Sequence, residues 1–200
     1  VSAHMLWVGD RTRQIDGSHI EFLKGIENPI GIKVGPTTDS EELIKILELL
    51  NPNNESGRVT LICRMGADKI NSILPNIINK VKKEGSNVVW ACDPMHGNTI
   101  KSNTGYKTRP LTNIFSEIQK FFQIHKSIGT YPGGVHLEMT GQDVTECMGG
   151  LQEITDEDLK NRYHTFCDPR LNASQSIELA FLISDFLKDE KYLSTKSLNL

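Results

Sequence analysis

The chain has 200 residues, 38% of them apolar and 24% charged, which is enough for one globular domain and unlike a disordered or fibrous sequence. Its 22 Lys+Arg against 25 Asp+Glu leave a net charge of −3, so there is no overall basic field to hold a nucleic-acid backbone or an anionic membrane. The apolar runs fall far short of the roughly 18 to 20 residues that span a bilayer, and the first residues lack a signal-peptide core, which reads as a soluble protein with neither membrane nor nucleic acid as partner.

Met5-Leu6-Trp7-Val8 opens the chain as a first strand, and a second ends at Ile32-Lys33-Val34-Gly35. Asp39-Ser40-Glu41-Glu42 then resembles a capping box, followed by Leu43, Ile46, Leu47 and Leu50 at helical spacing until Asn51-Pro52. A third strand ends at Leu61-Ile62-Cys63-Arg64-Met65-Gly66. The next helix is expected from about Asp68 to Lys83, with Pro75 dividing it or starting its main part and Gly85 closing it. Val88 to Gly97 reads as a fourth strand that stops at Asp93-Pro94-Met95-His96, and a helix is expected over Thr112 to Ser127. Tyr131-Pro132-Gly133-Gly134 reads as the turn into a last strand, Val135 to Glu138, and Gly149-Gly150 as a loop joint. A final helix begins at Asn172 with Gln175 three residues on, its inward face expected at Ile177, Ala180, Phe181, Ser184 and Leu187. Lys188 to Leu200 turn polar and are expected to fray.

Lys33, Arg64, His96 and Glu138 thus end successive strands, 31, 32 and 42 residues apart, close to one βα unit with its loops. Regular alternation implies a parallel sheet with helices outside it, and its ligands gather at the carboxyl ends of the strands. Residues drawn from nearly every strand end point to a (β/α) barrel over an open doubly wound sheet, where ligands collect at one switch point. Only five strands can be counted, against eight in a closed barrel, so the expected fold is α/β, the C-terminal part of a (β/α)8 TIM barrel, with residues 1–200 as one catalytic-domain fragment.

His96, Glu138 and Asp168 offer an imidazole and two carboxylates, suited to a divalent ion of intermediate softness such as Mn²⁺, Fe²⁺ or Co²⁺. The alternatives are a His96 bonded to its own loop and an Asp168 that forms the turn before the Asn172 cap. Lys33 and Arg64 are costly at buried strand ends unless an anion or counter-charge meets them, so they suggest a phosphate or carboxylate pocket. Arg11 adds a forked donor, while Arg13 is expected to pair with Asp10. Lys107 and Arg109 are expected to be solvated loop charges. His136 shares a strand face with Glu138, as a supporting group or an interior residue. His4, His19, His125 and His164 suggest no role. Cys63, Cys92, Cys147 and Cys167 have no C-x-x-C spacing and read as small buried hydrophobes in a reducing compartment, hence a cytoplasmic location.

Taken in order, Trp7-Val8-Gly9-Asp10-Arg11-Thr12-Arg13-Gln14, Gly31-Ile32-Lys33-Val34-Gly35-Pro36, Arg64-Met65-Gly66-Ala67, Cys92-Asp93-Pro94-Met95-His96-Gly97-Asn98-Thr99, His136-Leu137-Glu138-Met139-Thr140-Gly141 with Val144-Thr145-Glu146-Cys147, and Cys167-Asp168-Pro169-Arg170-Leu171-Asn172 resemble the class II (plant-like) 3-deoxy-D-arabino-heptulosonate 7-phosphate (DAHP) synthases, over the C-terminal half of a family member. The resemblance implies a barrel that condenses phosphoenolpyruvate with erythrose 4-phosphate and releases phosphate, at the entry to the shikimate pathway. It places His96, Glu138 and Asp168 on metal ligands, with Mn²⁺ the first choice, and Arg11, Lys33 and Arg64 on phosphoenolpyruvate-binding positions. Lys33 and His96 then carry catalysis, and the candidates for proton handling are Lys33, the metal and His136. The family's fourth ligand is a cysteine of the other half, and none of the four cysteines here matches it. A homo-oligomer is implied for the full-length enzyme, in the cytoplasm of bacteria or the plastid of plants. Two other readings fit the residues: a non-catalytic half-barrel that binds a complementary chain, and another metal-dependent barrel lyase or aldolase.

Overall fold

The computed structural model describes residues 3–196. Five strands form one parallel sheet: β1 (Leu6–Val8), β2 (Ile30–Val34), β3 (Val59–Cys63), β4 (Val89–Cys92) and, after a short antiparallel pair, β7 (Pro132–Val135). Their order in the sheet is their order in the chain, β1-β2-β3-β4-β7, every neighbour parallel. A doubly wound sheet reverses direction at a switch point; uninterrupted order is how a barrel is laid down. The segment of a (β/α) barrel expected from the alternation is the fold found.

Helices α1 (Ser18–Lys24), α2 (Ser40–Leu50), α3 (Ile70–Lys83), α4 (Leu111–Ile128) and α5 (Ala173–Lys196) connect or follow the strands. Asp39 caps α2 by accepting from the Glu41 and Glu42 amides at 2.8 and 2.9 Å. Leu43, Ile46, Leu47 and Leu50 are buried as their spacing requires, against a core that includes Ile32, Val34, Leu61 and Cys63. β2 is buried along its whole length, which is why it reads as a continuous apolar run.

The structure corrects several expectations. Pro75 neither divides nor starts α3: the helix runs unbroken from Ile70, and the missing N–H falls opposite the solvent-exposed Asn71, whose carbonyl can turn to water. The final parallel strand lies earlier than its apolar run, at Pro132–Val135, because Gly133 lets the backbone approach β4 closely. A side chain at Gly133 would meet the Trp90 carbonyl at 2.8 Å. Helix α5 turns Leu179 and Ile183 inward, with Phe186 against Phe122, and leaves Ile177, Ala180, Phe181 and Leu187 exposed. It also continues to Lys196 through most of the tail expected to fray, while 197–200 lie outside the described residues. Cys167 is exposed, unlike Cys63, Cys92 and Cys147. Neither α1 nor the pair β5 (Ile100–Lys101) and β6 (Lys107–Thr108) was anticipated. No helix among the described residues is long and apolar enough to cross a membrane.

Candidate active site

The sheet's hydrogen-bond ladder continues one residue past three strands. The amides of Arg64, Asp93 and His136 donate to the carbonyls of Val34, Cys63 and Cys92 at 2.8, 2.7 and 2.7 Å. These residues therefore stand side by side at the carboxyl edge, where a cleft of about 730 Å³ opens. Lys33, Arg64, His96, His136, Glu138 and Asp168 all line it, as does the exposed Arg11.

His96 sits in a short 3-10 turn that follows β4, held by one carboxylate. Asp93 accepts from the Met95 and His96 amides at 3.0 and 3.2 Å through Oδ1, and from the His96 ring Nδ1 at 2.7 Å through Oδ2. That fixes the imidazole with Nε2 directed at Glu138, 3.3 Å from Oε1, and toward Asp168, 3.8 Å from Oδ2. Ligand atoms of His96, Glu138 and Asp168 all lie within 4.8 Å of one another. The Asp93 hydrogen bond, reinforced by Glu138, raises the His96 pKa to about 9. Burial pushes Glu138 and Asp168 upward, but Glu138 is held below its ordinary value by His96 and Arg109, and Asp168 by Lys107 and Arg109. Such a donor set fits a divalent cation, and second-contact partners such as Asp93 are what orient metal-binding imidazoles.

The cationic side of the cleft is built from paired charges. Lys33, nearly buried, bonds Asp93, the carboxylate that also holds His96. Arg64 donates to Asp10 at 2.8 Å and to the His96 carbonyl at 3.3 Å, which leaves it spread along the cleft wall. Arg13 turns away, bonding Thr38 at 2.9 Å and facing Asp10 and Glu42, in line with its expected pairing. His136 stands edge-on to Trp7, 5.2 Å between ring centroids, and burial with nearby Lys33 depresses its pKa.

Two residues expected as solvated loop charges are part of this site. Arg109 is fully buried, donating to Glu138, to the Pro169 carbonyl and, at 2.9 Å, to Thr99; Lys107 bonds Asp168. Burying a guanidinium is tolerable only with such partners, and Glu138 is available because the Leu171 amide and the Glu138 carbonyl tie the two segments together at 3.0 Å. The Asp168 loop is anchored in turn by Arg170, whose amide and guanidinium grip the buried Glu146 at 2.7 to 2.9 Å. Asp93 was likewise not singled out from sequence, and Asp10 was named only as the partner of Arg13, not of Arg64. Strand alternation past β4 places Asp93 on the Ala91 face, a signal that was present. Nothing local marks Arg109.

Comparison with known proteins agrees with this geometry. A sequence profile described as the Class-II DAHP synthetase family matches residues 1–184. The chain is 57% identical over 188 residues to the Mycolicibacterium smegmatis protein named "Phospho-2-dehydro-3-deoxyheptonate aldolase AroG", covering 94% of this chain and 40% of that protein. A Streptomyces coelicolor protein named "Phospho-2-dehydro-3-deoxyheptonate aldolase" is 54% identical over 190 residues, 95% of this chain and 42% of the relative. The chain thus spans about two fifths of the curated relatives it matches. Among solved structures, the phospho-2-dehydro-3-deoxyheptonate aldolase of Francisella tularensis shares the fold with a TM-score of 0.58 at 17% identity, over 92% of this chain and 55% of that one. The matched profile covers more than nine tenths of the chain, which therefore belongs to the class-II DAHP synthetase family.

Proposed function

We propose that the chain carries the metal- and phosphoenolpyruvate-binding part of a 3-deoxy-7-phosphoheptulonate synthase, which joins phosphoenolpyruvate to erythrose 4-phosphate with release of phosphate. One observation carries the reading: the convergent donors of His96, Glu138 and Asp168 share a single cleft with Lys33, Arg64 and Arg11. The names of the two curated relatives support the same reaction.

His96, Glu138 and Asp168 would hold a divalent ion, Mn²⁺ by preference and Co²⁺ or Fe²⁺ as alternatives. When bound, such an ion supplies Lewis acidity toward the aldehyde oxygen of erythrose 4-phosphate. Lys33, Arg64 and Arg11 meet the carboxylate and phosphate of phosphoenolpyruvate, and the same charges stabilise phosphate as it leaves. Asp10 and Asp93 orient the Arg64 and Lys33 side chains for this, so little rearrangement is required when substrate arrives. Lys33 is the first candidate to move a proton at the substrate. His136, whose depressed pKa favours neutral imidazole, is a second acceptor in the same cleft.

The test is phosphate release and heptulosonate formation from the two substrates with Mn²⁺, by the complete polypeptide and by these 200 residues alone. The complete protein is expected to be active, its His96→Ala variant inactive, and the isolated chain to show little turnover. A complete protein that binds Mn²⁺ yet forms no heptulosonate would overturn the reading and favour another metal-dependent barrel lyase or aldolase.

A further inference from the structure

Beneath the cleft lies a carboxylate that touches neither the metal donors nor the anion-binding side chains. Glu117, on α4, is completely buried. Its Oε1 accepts from the amides of Met65 and Gly66 at 2.8 and 2.9 Å, and its Oε2 accepts from the Asn98 side-chain amide at 2.7 Å. Asn98 in turn donates to the Pro94 carbonyl at 2.8 Å and accepts from the Ala67 amide at 2.9 Å. One side of this network is the segment that follows Arg64, and the other is the turn that begins at His96.

These two segments are in backbone contact. A side chain at Gly97 would meet the Gly66 nitrogen at 2.4 Å, and one at Gly66, which has φ +88°, would meet the Gly97 carbonyl oxygen at 2.8 Å. Nothing intervenes, so any change in the seating of one loop moves the other. From this arrangement we infer that Glu117 is a positioning residue: through Asn98 and the Met65 and Gly66 amides it sets the Arg64 loop against the His96 turn, and so fixes the spacing between the anion-binding and metal-binding halves of the cleft. The inference rests on the functional reading above for the roles of Arg64 and His96.

The network is specific to a carboxylate. Glutamine at 117 has the same shape, but with its oxygen on the two backbone amides its NH₂ faces the NH₂ of Asn98. Asn98 cannot reverse without abandoning both Pro94 and Ala67. Burial pushes the Glu117 carboxyl up to about 7 against the pull of its three donors. Moving the negative charge across the contact, as Glu117→Gln with Asn98→Asp, restores donor to acceptor between the two side chains and leaves one unpaired acceptor pair, at Pro94.

In the complete Mn²⁺-loaded protein, E117Q is expected to weaken phosphoenolpyruvate binding about tenfold, with an equal or larger fall in kcat, while Mn²⁺ affinity changes by less than about threefold. The E117Q/N98D double variant is expected to bind phosphoenolpyruvate better than either single variant. Titration calorimetry for the substrate and the paramagnetic resonance signal of free Mn²⁺ read the two sites separately. Should E117Q not fold, Asn98→Ala keeps the carboxylate and its two backbone bonds and is expected to show the same split. Substrate binding within about threefold of the parent, equal losses for substrate and metal, or a double variant no better than E117Q would each overturn the inference. A parent that binds Mn²⁺ but no phosphoenolpyruvate would overturn the functional reading instead. Hydrogen exchange then decides the network on its own: an Ala67 amide protected in the parent and exchanging faster in E117Q, as the facing NH₂ pushes Asn98 away, supports it, and unchanged protection sinks it.

Discussion

Arg109 and His125 show the two ways a titratable side chain can be buried here. Arg109 donates to Glu138, Thr99 and the Pro169 carbonyl, directed bonds that offset much of the cost of burying a guanidinium, while its Nη2 makes no hydrogen bond and lies 3.9 Å from Asp168. His125 has no such company. It packs against Trp90 and Phe121, shares one hydrogen bond of 2.7 Å with Thr130 through Nδ1, and its Nε2 is buried without a partner. Burial therefore lowers its pKa from 6.5 to about 4. A base that resists protonation only when folded stabilises the fold fully above pH 6.5. That contribution is lost as pH falls from 6.5 toward 4, in all by roughly 2 to 4 kcal/mol. Glu117, shifted upward, works in the opposite direction over an overlapping window, so the parent's net slope is a sum. The difference between the parent and His125→Phe isolates the histidine. Urea unfolding at steps from pH 7 to pH 4.5 is expected to show the parent losing stability relative to the variant as acid is added, and parallel curves would contradict this account.

At the level of elements, what was legible in the sequence followed from how locally each element is determined. Helices α2, α3 and α4 each carry one apolar stripe, and that stripe is the buried one. Helix α5 is apolar on more than one side, so spacing could not say which side meets α4; packing against Phe122 chose Leu179, Ile183 and Phe186. Helix α1 has seven residues and buries only Ile20 and Leu23, too little for a periodic signal. Lys33, Arg64, His96 and Glu138 were legible as one group because a charge that closes an apolar run is a local event. Only Lys33 and Arg64 adjoin their strand ends, however; His96 and Glu138 follow β4 and β7 by four and three residues. The partners of those groups, Asp10, Asp93 and Arg109, come from 29 to 60 residues away or from a loop, and their pairing is a property of the closed fold. Capping was legible too, at both Asp39 and Asn172, but the two caps differ in depth. Asn172 and Gln175 exchange reciprocal bonds of 3.2 and 2.9 Å, and the buried Asn172 amide also holds the Val144 carbonyl and Gln152. Asp39→Ala, which removes a solvent-facing cap, is expected to cost less than Asn172→Ala, which loses about 2 to 3 kcal/mol because it also strands a buried carbonyl. Denaturant unfolding of the two variants compares them directly; equal costs would show that the Val144 and Gln152 bonds add nothing.

Across the whole molecule, the five-stranded sheet leaves the outer sides of β1 and β7 without a strand partner among the described residues. A closed barrel of this kind has eight strands and no edge, whereas an open parallel edge presents unpaired N–H and C=O groups beside apolar side chains. Trp7 on β1 and Tyr131 just before β7 are exposed, and so is the stripe of Ile177 and Phe181 on α5. Scattered exposed apolar residues need no explanation, but these sit on the borders of a sheet and of a terminal helix layer. The same borders are where a complementary segment would dock if the chain is one part of a barrel. Produced alone, these 200 residues are therefore expected to associate in a concentration-dependent way, with sedimentation coefficients that rise across a dilution series. Co-production with the preceding portion of the Mycolicibacterium smegmatis relative is expected to replace that series by one discrete complex, because the strands it supplies occupy both edges at once. A compact monomer at every concentration, unchanged by the added segment, would mean that β1 and β7 are satisfied in some other way, and would remove the physical reason for assigning the activity to a completed barrel.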